Sequence, residues 1–159
     1  MDIKNLIGNV TKLFETSIKG LPGRKMLRKL RIESNLNNLG IVENEIDFIT
    51  SQAGINQENY GKILVSTLEA VNNAIIHGNK SDNKKYVEIK ILVRNNMLEI
   101  RITDEGSGFQ PEKVPDPTFP ENIEAINGRG IYLMSKLSDE MKFNKKGNSV
   151  KLKFKNILS

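Results

Sequence analysis

Two runs of alternating apolar and polar residues constrain the fold of this chain more than any other feature. The runs YVEIKILVR and LEIRITD are joined at Asn95–Asn96, which is a strong hairpin signal. Because successive side chains of a strand point to opposite faces, one face of the resulting sheet is buried and the other is wet or covered elsewhere. The chain therefore needs a second layer that covers one side of a sheet.

The residues before this hairpin carry the helical signal that a covering layer requires. Residues 40–53 and 57–77 have apolar side chains at three- and four-residue spacing. Upstream of them, a short strand from Met26 runs toward a helix that Ser34 or Asn35 can cap. We predict a strand and two helices in this part of the chain.

After the hairpin, the chain supplies one more helix and one more pair of strands. The run GIYLMSKLSDEM has helical spacing, while MKFNK and SVKLKF are typical of a closing hairpin that turns at KKGN. The order of elements is thus helices first and then strands with one helix between them. This order predicts an α+β fold in which helices cover one face of the sheet.

Length and composition limit the kind of protein. With 159 residues and no cysteine, the chain is expected to build one core without disulfides, and thiolate metal sites and a cysteine nucleophile are excluded. No apolar run has the length of a membrane span, and the N-terminus lacks a signal-peptide pattern. We expect a cytoplasmic protein that does not enter a membrane.

The net charge of +5 is concentrated near the N-terminus. Residues 1–31 hold eight basic residues against two acidic ones, a net +6, which leaves −1 for the remainder. Because the body of the chain is nearly neutral, we expect no direct binding of nucleic acid. We assign residues 1–25 to a basic N-terminal extension and residues 26–159 to the main domain.

The extension has apolar residues at three- and four-residue spacing from Ile3 to Ile18, which predicts an amphipathic helix. The favoured role of this helix is to cover a hydrophobic patch or a dimer partner, and we expect a homodimer. A basic helix that rests on a membrane surface is the alternative.

Residues 110–127 are an irregular stretch that contains four prolines. The stretch is too long for a simple connector, and loops of this kind are often functional. We predict a lid over a binding site.

The helix predicted over residues 57–77 carries two stripes of different character. The apolar stripe, which would face the sheet, consists of Leu64, Leu68, Val71 and Ile75. The polar stripe consists of Glu69, Asn73 and His77. An asparagine carbonyl can bind Mg²⁺ beside phosphate oxygens, and a nearby carboxylate can accept a proton. The alternative is a solvated helix face.

Two glycine-containing motifs follow. In DEGSGF, Asp104 comes directly after a strand, and Gly106 and Gly108 let the backbone approach a flat or charged ligand closely. In GRGIYLM, Gly128 and Gly130 begin a helix whose free N–H groups and dipole favour phosphate. Taken singly, each motif also fits a tight turn or a helix boundary.

Together and in this order, the motifs EAVNNAIIHGN, DEGSGF and GRGIYLM resemble those of the GHKL nucleotide-binding superfamily. The resemblance covers roughly residues 30–157, and the short chain is most similar to the bacterial anti-sigma-factor serine/threonine kinases. It implies the Bergerat fold, a two-layer α/β sandwich with a mixed, mostly antiparallel sheet covered on one face by helices. It also implies ATP and Mg²⁺ as cofactors.

The same resemblance implies a role for each motif residue. Glu69 would be the general base, Asn73 the Mg²⁺ ligand, and Asp104 the acceptor for the exocyclic amine of adenine. The other nucleotide-binding residues would be Gly106, Gly108, Phe109, Gly128, Arg129, Gly130 and Ile131. Where the superfamily has a threonine near the last strand, this chain has Asn148 followed by Ser149. We expect one of these two to keep the adenine contact, and we include Ser149 in the binding set.

By this resemblance the chain is a serine/threonine protein kinase that phosphorylates an anti-anti-sigma protein of the STAS type, with a sigma factor as a further partner. The alternative is a binding module without catalysis that sequesters a sigma factor or another partner, with ATP setting its conformation. Glu69 favours the kinase, because a pure binder needs no base. A detached histidine-kinase catalytic domain is disfavoured, because the sequence shows no phosphoacceptor helix pair.

Overall fold

The computed structural model describes residues 10–16, 25–108 and 128–158. Phe109 and the lid predicted over residues 110–127 lie outside the described residues. None of the helices in the described ranges combines the length and the apolar character needed to cross a bilayer.

The described strands form one sheet. They are Val10–Thr16 (β1), Met26–Glu33 (β2), Tyr86–Arg94 (β3), Met97–Thr103 (β4), Glu140–Phe143 (β5) and Ser149–Lys155 (β6). Their order across the sheet is β1-β2-β3-β4-β6-β5, and each neighbouring pair is antiparallel. The α+β prediction is confirmed, although the described strands contain no parallel pair that would make the sheet mixed.

The hairpin that the alternation predicts is present as β3 and β4. Asn95 and Asn96 both have positive φ, at 52° and 58°. Asparagine tolerates this left-handed conformation, and a two-residue turn of this type matches the twist of the flanking strands.

The helices are Leu39–Ala53 (α1), Gln57–Asn73 (α2) and Gly128–Leu137 (α3), with a short 3₁₀ turn at Leu36–Asn38 and a π-helical turn at Ala74–Gly78. Of the two predicted caps, Asn35 is the one that acts, because its side chain accepts the N–H of Asn37 at 2.9 Å. The helix predicted over GIYLMSKLSDEM ends early, because the N–H of Asp139 donates to the carbonyl of Lys153 in β6.

The core lies between the helices and the inner face of the sheet. Val42, Ile46 and Ile49, predicted on one face of α1, are fully buried. On α2 the predicted apolar stripe packs inward, with Val71 buried and Leu68 partly buried against the core. The sheet contributes the alternate residues Leu30, Ile32, Val87, Ile89, Ile91, Leu98, Ile100, Ile102, Val150, Leu152 and Phe154.

An ion pair ties α1 to the inner face of β2. The Nε of Arg28 donates to Oε1 of Glu45, and both side chains are less than a tenth exposed. The guanidinium of Arg28 also lies 4.6 Å from the ring centroid of Phe48. A cation that points toward the helices is therefore matched by a carboxylate and an aromatic ring, as a buried charge requires.

Residues 10–16 form a strand, so the helix predicted from Ile3 to Ile18 is wrong for this segment. β1 pairs with β2 along its length, from Val10 opposite Ile32 to Thr16 opposite Met26. In so short a segment, the apolar spacing fits either the period of a helix or that of a strand. The unpaired backbone groups at the edge of β2 favour a strand. The remaining residues of the extension lie outside the described ranges, and the boundary between residues 25 and 26 stays a prediction.

Candidate functional site

The helix that carries the polar stripe changes its winding directly after Asn73. From Ala74 to Gly78 it becomes a π-helix, and the N–H of Asn79 donates to the carbonyl of Ala74 at 2.8 Å. The wider turn ends the three-residue polar stripe, because His77 no longer follows Asn73 at α-helical spacing. Single π turns of this kind are common at functional sites.

The π turn brings backbone directly against the carboxylate of Asp104. A Cβ placed on Gly78 would lie 2.3 Å from both Cγ and Oδ2 of Asp104. A Cβ on Gly106 would lie 2.1 Å from the carbonyl oxygen of Gly78. Only glycine fits at these two positions, since real Cβ contacts are not that short. The helix end and the loop after β4 therefore meet around one acidic side chain.

The surroundings of Asp104 alter its acidity. Burial raises the pKa of the Asp104 carboxyl above its ordinary value near 3.8, while the N–H of Gly106 and the charges of Lys146 and Lys85 oppose this in part. The N–H of Gly106 donates to Oδ1 at 2.8 Å. A half-buried acceptor of this kind, with one oxygen engaged, leaves Oδ2 for a ligand that donates a hydrogen bond.

Asn79 holds the loops around Asp104 in place. Its side chain is fully buried, and Nδ2 donates to Oγ of Ser34 at 2.6 Å and to the carbonyl of Tyr86 at 2.9 Å. Its Oδ1 accepts the N–H of Glu105 at 2.8 Å. One amide thus joins the end of β2, the start of β3 and the loop that carries Asp104.

A second group of residues forms where α2 meets the start of α3. A Cβ placed on Gly130 would lie 2.9 Å from Oε2 of Glu69 and 3.1 Å from Nδ2 of Asn73. Because Gly130 has no side chain, a carboxylate and a carboxamide reach the first turn of α3, where backbone N–H groups lack helical partners. The arrangement places an acceptor, an amide and the positive end of a helix dipole together.

The loop between β5 and β6 forms the third side of the Asp104 group. Gly108 has φ of +81°, and a Cβ there would lie 1.9 Å from the carbonyl of Lys146. Asn148 Nδ2 donates to the backbone carbonyl of Asp104 at 3.0 Å. Ser149 instead lies 2.8 Å from the hydroxyl of Thr103, on the outer face of the sheet. The structure therefore brings Asn148, and not Ser149, to the Asp104 group.

The structure thus arranges the predicted residues into two groups along α2 and its π turn. One group contains Glu69, Asn73 and Gly130, and the other contains Asp104, Gly106 and Gly108 with Asn148. Ile131 is buried on α3, and Arg129 beside it is exposed. Phe109 lies outside the described residues, and His77 is half-buried on the π turn.

Sequence reasoning missed Gly78 and Asn79 as parts of the site. Both belong to the motif EAVNNAIIHGN. A glycine followed by an asparagine at a helix end is an ordinary stop signal, so neither residue was assigned a role in the site. Their roles depend on contacts with β2, β3 and the loop after β4, which no local pattern predicts.

Comparison with known proteins shows that the chain is an ATP-binding domain. Residues 32–154 match the histidine kinase-like ATPase domain family. The chain belongs to this family, and its two-layer fold is of the Bergerat type.

Individual relatives are more distant. The serine-protein kinase RsbW of Bacillus velezensis is 27% identical over 120 residues, which cover 72% of this chain and 75% of the relative. The serine-protein kinase RsbW of Oceanobacillus iheyensis is 24% identical over 122 residues, which cover 73% and 77%.

A solved structure of the RsbU and RsbW domains of a Mycobacterium tuberculosis protein shares the fold, with a TM-score of 0.57 at 15% identity. The match covers 80% of this chain and 32% of that chain, so the present chain spans about a third of the solved one.

Replacing Gly78 should damage the site, whereas replacing another glycine of the same helix should not. In Gly78→Ala the added methyl group meets the Asp104 carboxylate, and we expect a loss of about 1–3 kcal/mol in the free energy of unfolding, as for other overpacked positions. Gly61 has no atom within 4 Å of a Cβ position. Gly61→Ala should therefore gain about 0.5–1 kcal/mol from helix propensity. Urea unfolding of both variants measures this, and equal stability of the two would contradict the assigned contact.

Asn79 should matter more to stability than the residues that it joins. Asn79→Ala removes three hydrogen bonds at a buried position, and we expect a loss of roughly 2–4 kcal/mol in the free energy of unfolding. Ser34→Ala removes one of these bonds and should lose about 1 kcal/mol. Chemical denaturation of the two variants under the same conditions tests this order. Losses of the same size would show that Asn79 does not connect the three segments.

Proposed function

We propose that this chain is an ATP-dependent serine/threonine protein kinase that acts as an anti-sigma regulatory factor. Its substrate would be an anti-anti-sigma protein of the STAS type, and a sigma factor would be a further partner. The observation that carries the proposal is the convergence of Glu69 and Asn73 on Gly130 at the start of α3. Relatives named serine-protein kinase support the reaction class.

The adenine end of the nucleotide would bind at the Asp104 group. Asp104 would accept a hydrogen bond from the exocyclic amine of adenine, and Gly106 and Gly108 would let the adenosine approach the backbone. Asn148 lies beside the backbone of Asp104, and it is the better candidate than Ser149 for a second polar contact. The phosphates would then extend along α2 toward Gly128, Arg129 and Gly130.

The residues at the start of α3 fit Mg²⁺ as the partner of the phosphates. Asn73 offers a neutral amide oxygen, and the missing side chain at Gly130 leaves room beside it. Bound Mg²⁺ would neutralise charge on the phosphate oxygens. The free N–H groups of the first turn of α3 would bind the same oxygens.

Glu69 would act as the general base. Its carboxylate would take the proton from a serine hydroxyl of the partner as the hydroxyl oxygen forms a bond to the terminal phosphorus of ATP. The bond from that phosphorus to the bridging oxygen breaks, and ADP leaves. Asn73 and the backbone of α3 would hold the phosphates still during this transfer, which is where much of the rate enhancement in phosphoryl transfer arises.

Asp104→Asn tests adenine recognition. The amide can present a donor where the carboxylate only accepted, so ATP affinity should fall by about 10- to 100-fold, the range for a hydrogen bond to a charged group. Calorimetry with ATP and GTP measures this, and wild-type protein should bind GTP poorly. Asp47→Asn, the same change on the exposed face of α1, should leave ATP affinity unchanged. Unchanged ATP affinity in folded Asp104→Asn would sink the assignment.

The same variant has a stability signature that separates recognition from misfolding. Because the pKa of Asp104 is raised in the folded chain, the contribution of this carboxyl to the free energy of unfolding is fully present below the ordinary pKa and is lost as pH rises through the raised pKa. Asp104→Asn removes this titration. As pH rises through the mildly acidic range, the melting temperature of Asp104→Asn should therefore fall less than that of the wild type.

Glu69→Gln separates a kinase from a binding module. The change keeps size and helix propensity, so ATP with Mg²⁺ should still bind, whereas phosphoryl transfer to the native partner should fall by roughly two to four powers of ten. Glu58→Gln, an exposed position on the same helix, is the matched control and should keep the wild-type rate. Asn73→Ala should instead weaken metal-dependent nucleotide binding, while Asn72→Ala should not.

Transfer at the wild-type rate by folded, ATP-bound Glu69→Gln would contradict the role of the base. A separate outcome is that the wild type itself shows no transfer to any STAS-type protein. The chain would then be a binding module that sequesters its partner.

A further inference from the structure

The outer face of the sheet carries a single row of cations that crosses five strands. The registers place Lys29 opposite Lys90, Lys90 opposite Arg101, Arg101 opposite Lys151, and Lys151 opposite Lys142. We refer to these five residues as the basic row. Four of them are exposed and Lys151 is half-buried.

Without a partner, the basic row destabilises the sheet. Like charges directly opposite each other on neighbouring strands destabilise a sheet. Among the described side chains, no member of the row has an ion pair, whereas the cations beside it do. Arg31 pairs with Glu88, and Lys153 pairs with Glu140. The repeated repulsion in one register row is therefore a feature that folding does not explain.

The spacing of the basic row matches that of an acidic helix. Neighbouring strands lie about 4.8 Å apart, so five positions span roughly 19 Å. Residues at three- and four-residue spacing on an α-helix rise about 5 Å per step, and four such steps give about 21 Å. A helix laid across the strands can therefore place one carboxylate over each cation.

The flanks of the row favour a protein over a nucleic acid or a second copy of this chain. The rows beside the basic row offer little net positive charge to a broad phosphate backbone, because Glu88 pairs with Arg31 and Glu140 pairs with Lys153. Leu27 and Leu92, opposite each other on the row with Glu99, are half-buried and offer apolar contact. A second copy would bring its own basic row against the first.

The outer face also carries a depression and lies apart from the site already described. An open depression of about 600 Å³ covers the middle of β2, β3 and β4, and its lining includes Lys29, Lys90 and Arg101. The helices and the Glu69 and Asp104 groups lie against the other face. Both faces can thus be used at the same time.

We propose that the outer face of the sheet is a docking surface for a partner protein that presents an acidic helix. The carboxylates of that helix would pair with the basic row, and its neighbouring apolar residues would contact Leu27 and Leu92. This inference does not rest on the proposed kinase activity, because none of its residues belongs to the nucleotide site.

The test uses two synthetic helical peptides of about twenty residues and the full chain. The striped peptide has one glutamate for each member of the basic row at three- and four-residue spacing, and the scrambled peptide has the same composition with its glutamates spread around the helix. Fluorescence anisotropy at low salt should show binding of the striped peptide at least about fivefold tighter than that of the scrambled one, and added salt should weaken it.

Charge reversal locates the binding surface. Lys90→Glu with Arg101→Glu should weaken binding of the striped peptide by about tenfold or more. Lys80→Glu with Lys84→Glu makes the same change in net charge at exposed positions outside the sheet, and should change affinity less than about twofold. Thermal melts provide a readout of folding. The double variant replaces repulsion by attraction at the contacts with Lys29 and Lys151 and keeps one like-charge contact between positions 90 and 101, so its melting temperature should not fall below that of the wild type.

Four results would overturn the proposal. Equal affinity for the two peptides, or an equal loss in both double variants, would mean that only net charge is sensed. Tighter binding of a single-stranded oligonucleotide, with the same dependence on Lys90 and Arg101, would make the partner a nucleic acid. A wild-type dimer in sedimentation that dissociates in the Lys90→Glu, Arg101→Glu variant would make the face an interface between copies of this chain.

Discussion

The buried side chain of Asn79 connects the layers on which the site depends. Its three hydrogen bonds reach the end of β2, the start of β3 and the loop after β4. Each bond involves a group that is costly to bury without a partner, so the three segments are held in one arrangement. Asp104 lies in the loop that the Asn79 amide fixes. Gly78 is the residue directly before Asn79. The position of the carboxylate thus follows from a polar contact inside the core rather than from the loop itself.

The sheet separates two kinds of chemistry on its two faces. On the inner face, charges are few and matched, as Arg28 and Glu45 are, or are placed at the edge of the helical layer, as Glu69 and Asp104 are. On the outer face, alternate residues of the same strands form the basic row and its acidic flanks. Thr103 and Asp104 are neighbours in the chain but face opposite ways. The end of β4 therefore connects the Asp104 group to the outer surface of the sheet.

Much of the fold could be predicted because its signals are local. Alternation in residues 86–104 defines the β3–β4 hairpin, and helical spacing defines α1 and α2. The strand at Val10–Thr16 could not be recognised, because its apolar spacing fits a helix as well as a strand. What decides between them is pairing with β2, which the local sequence does not show. The order of the motifs predicted Glu69, Asn73 and Asp104 as site residues, and the structure places each of them beside a glycine of another segment. The choice between Asn148 and Ser149 depends on which face each side chain takes, and this requires the register of β6 against β4.

The bonds that assemble the site join distant parts of the chain, and this has a consequence for folding. Asn79 and Ser34 are 45 residues apart, and Asn148 and Asp104 are 44 apart. Contacts of long sequence separation form only after the entropy of closing large loops has been lost, and they slow folding. Helices α1 and α2 and the β3–β4 hairpin have local contacts and can form early. The Asp104 group is complete only when β6 joins β4, so a growing chain acquires the covering helices before it acquires the full group.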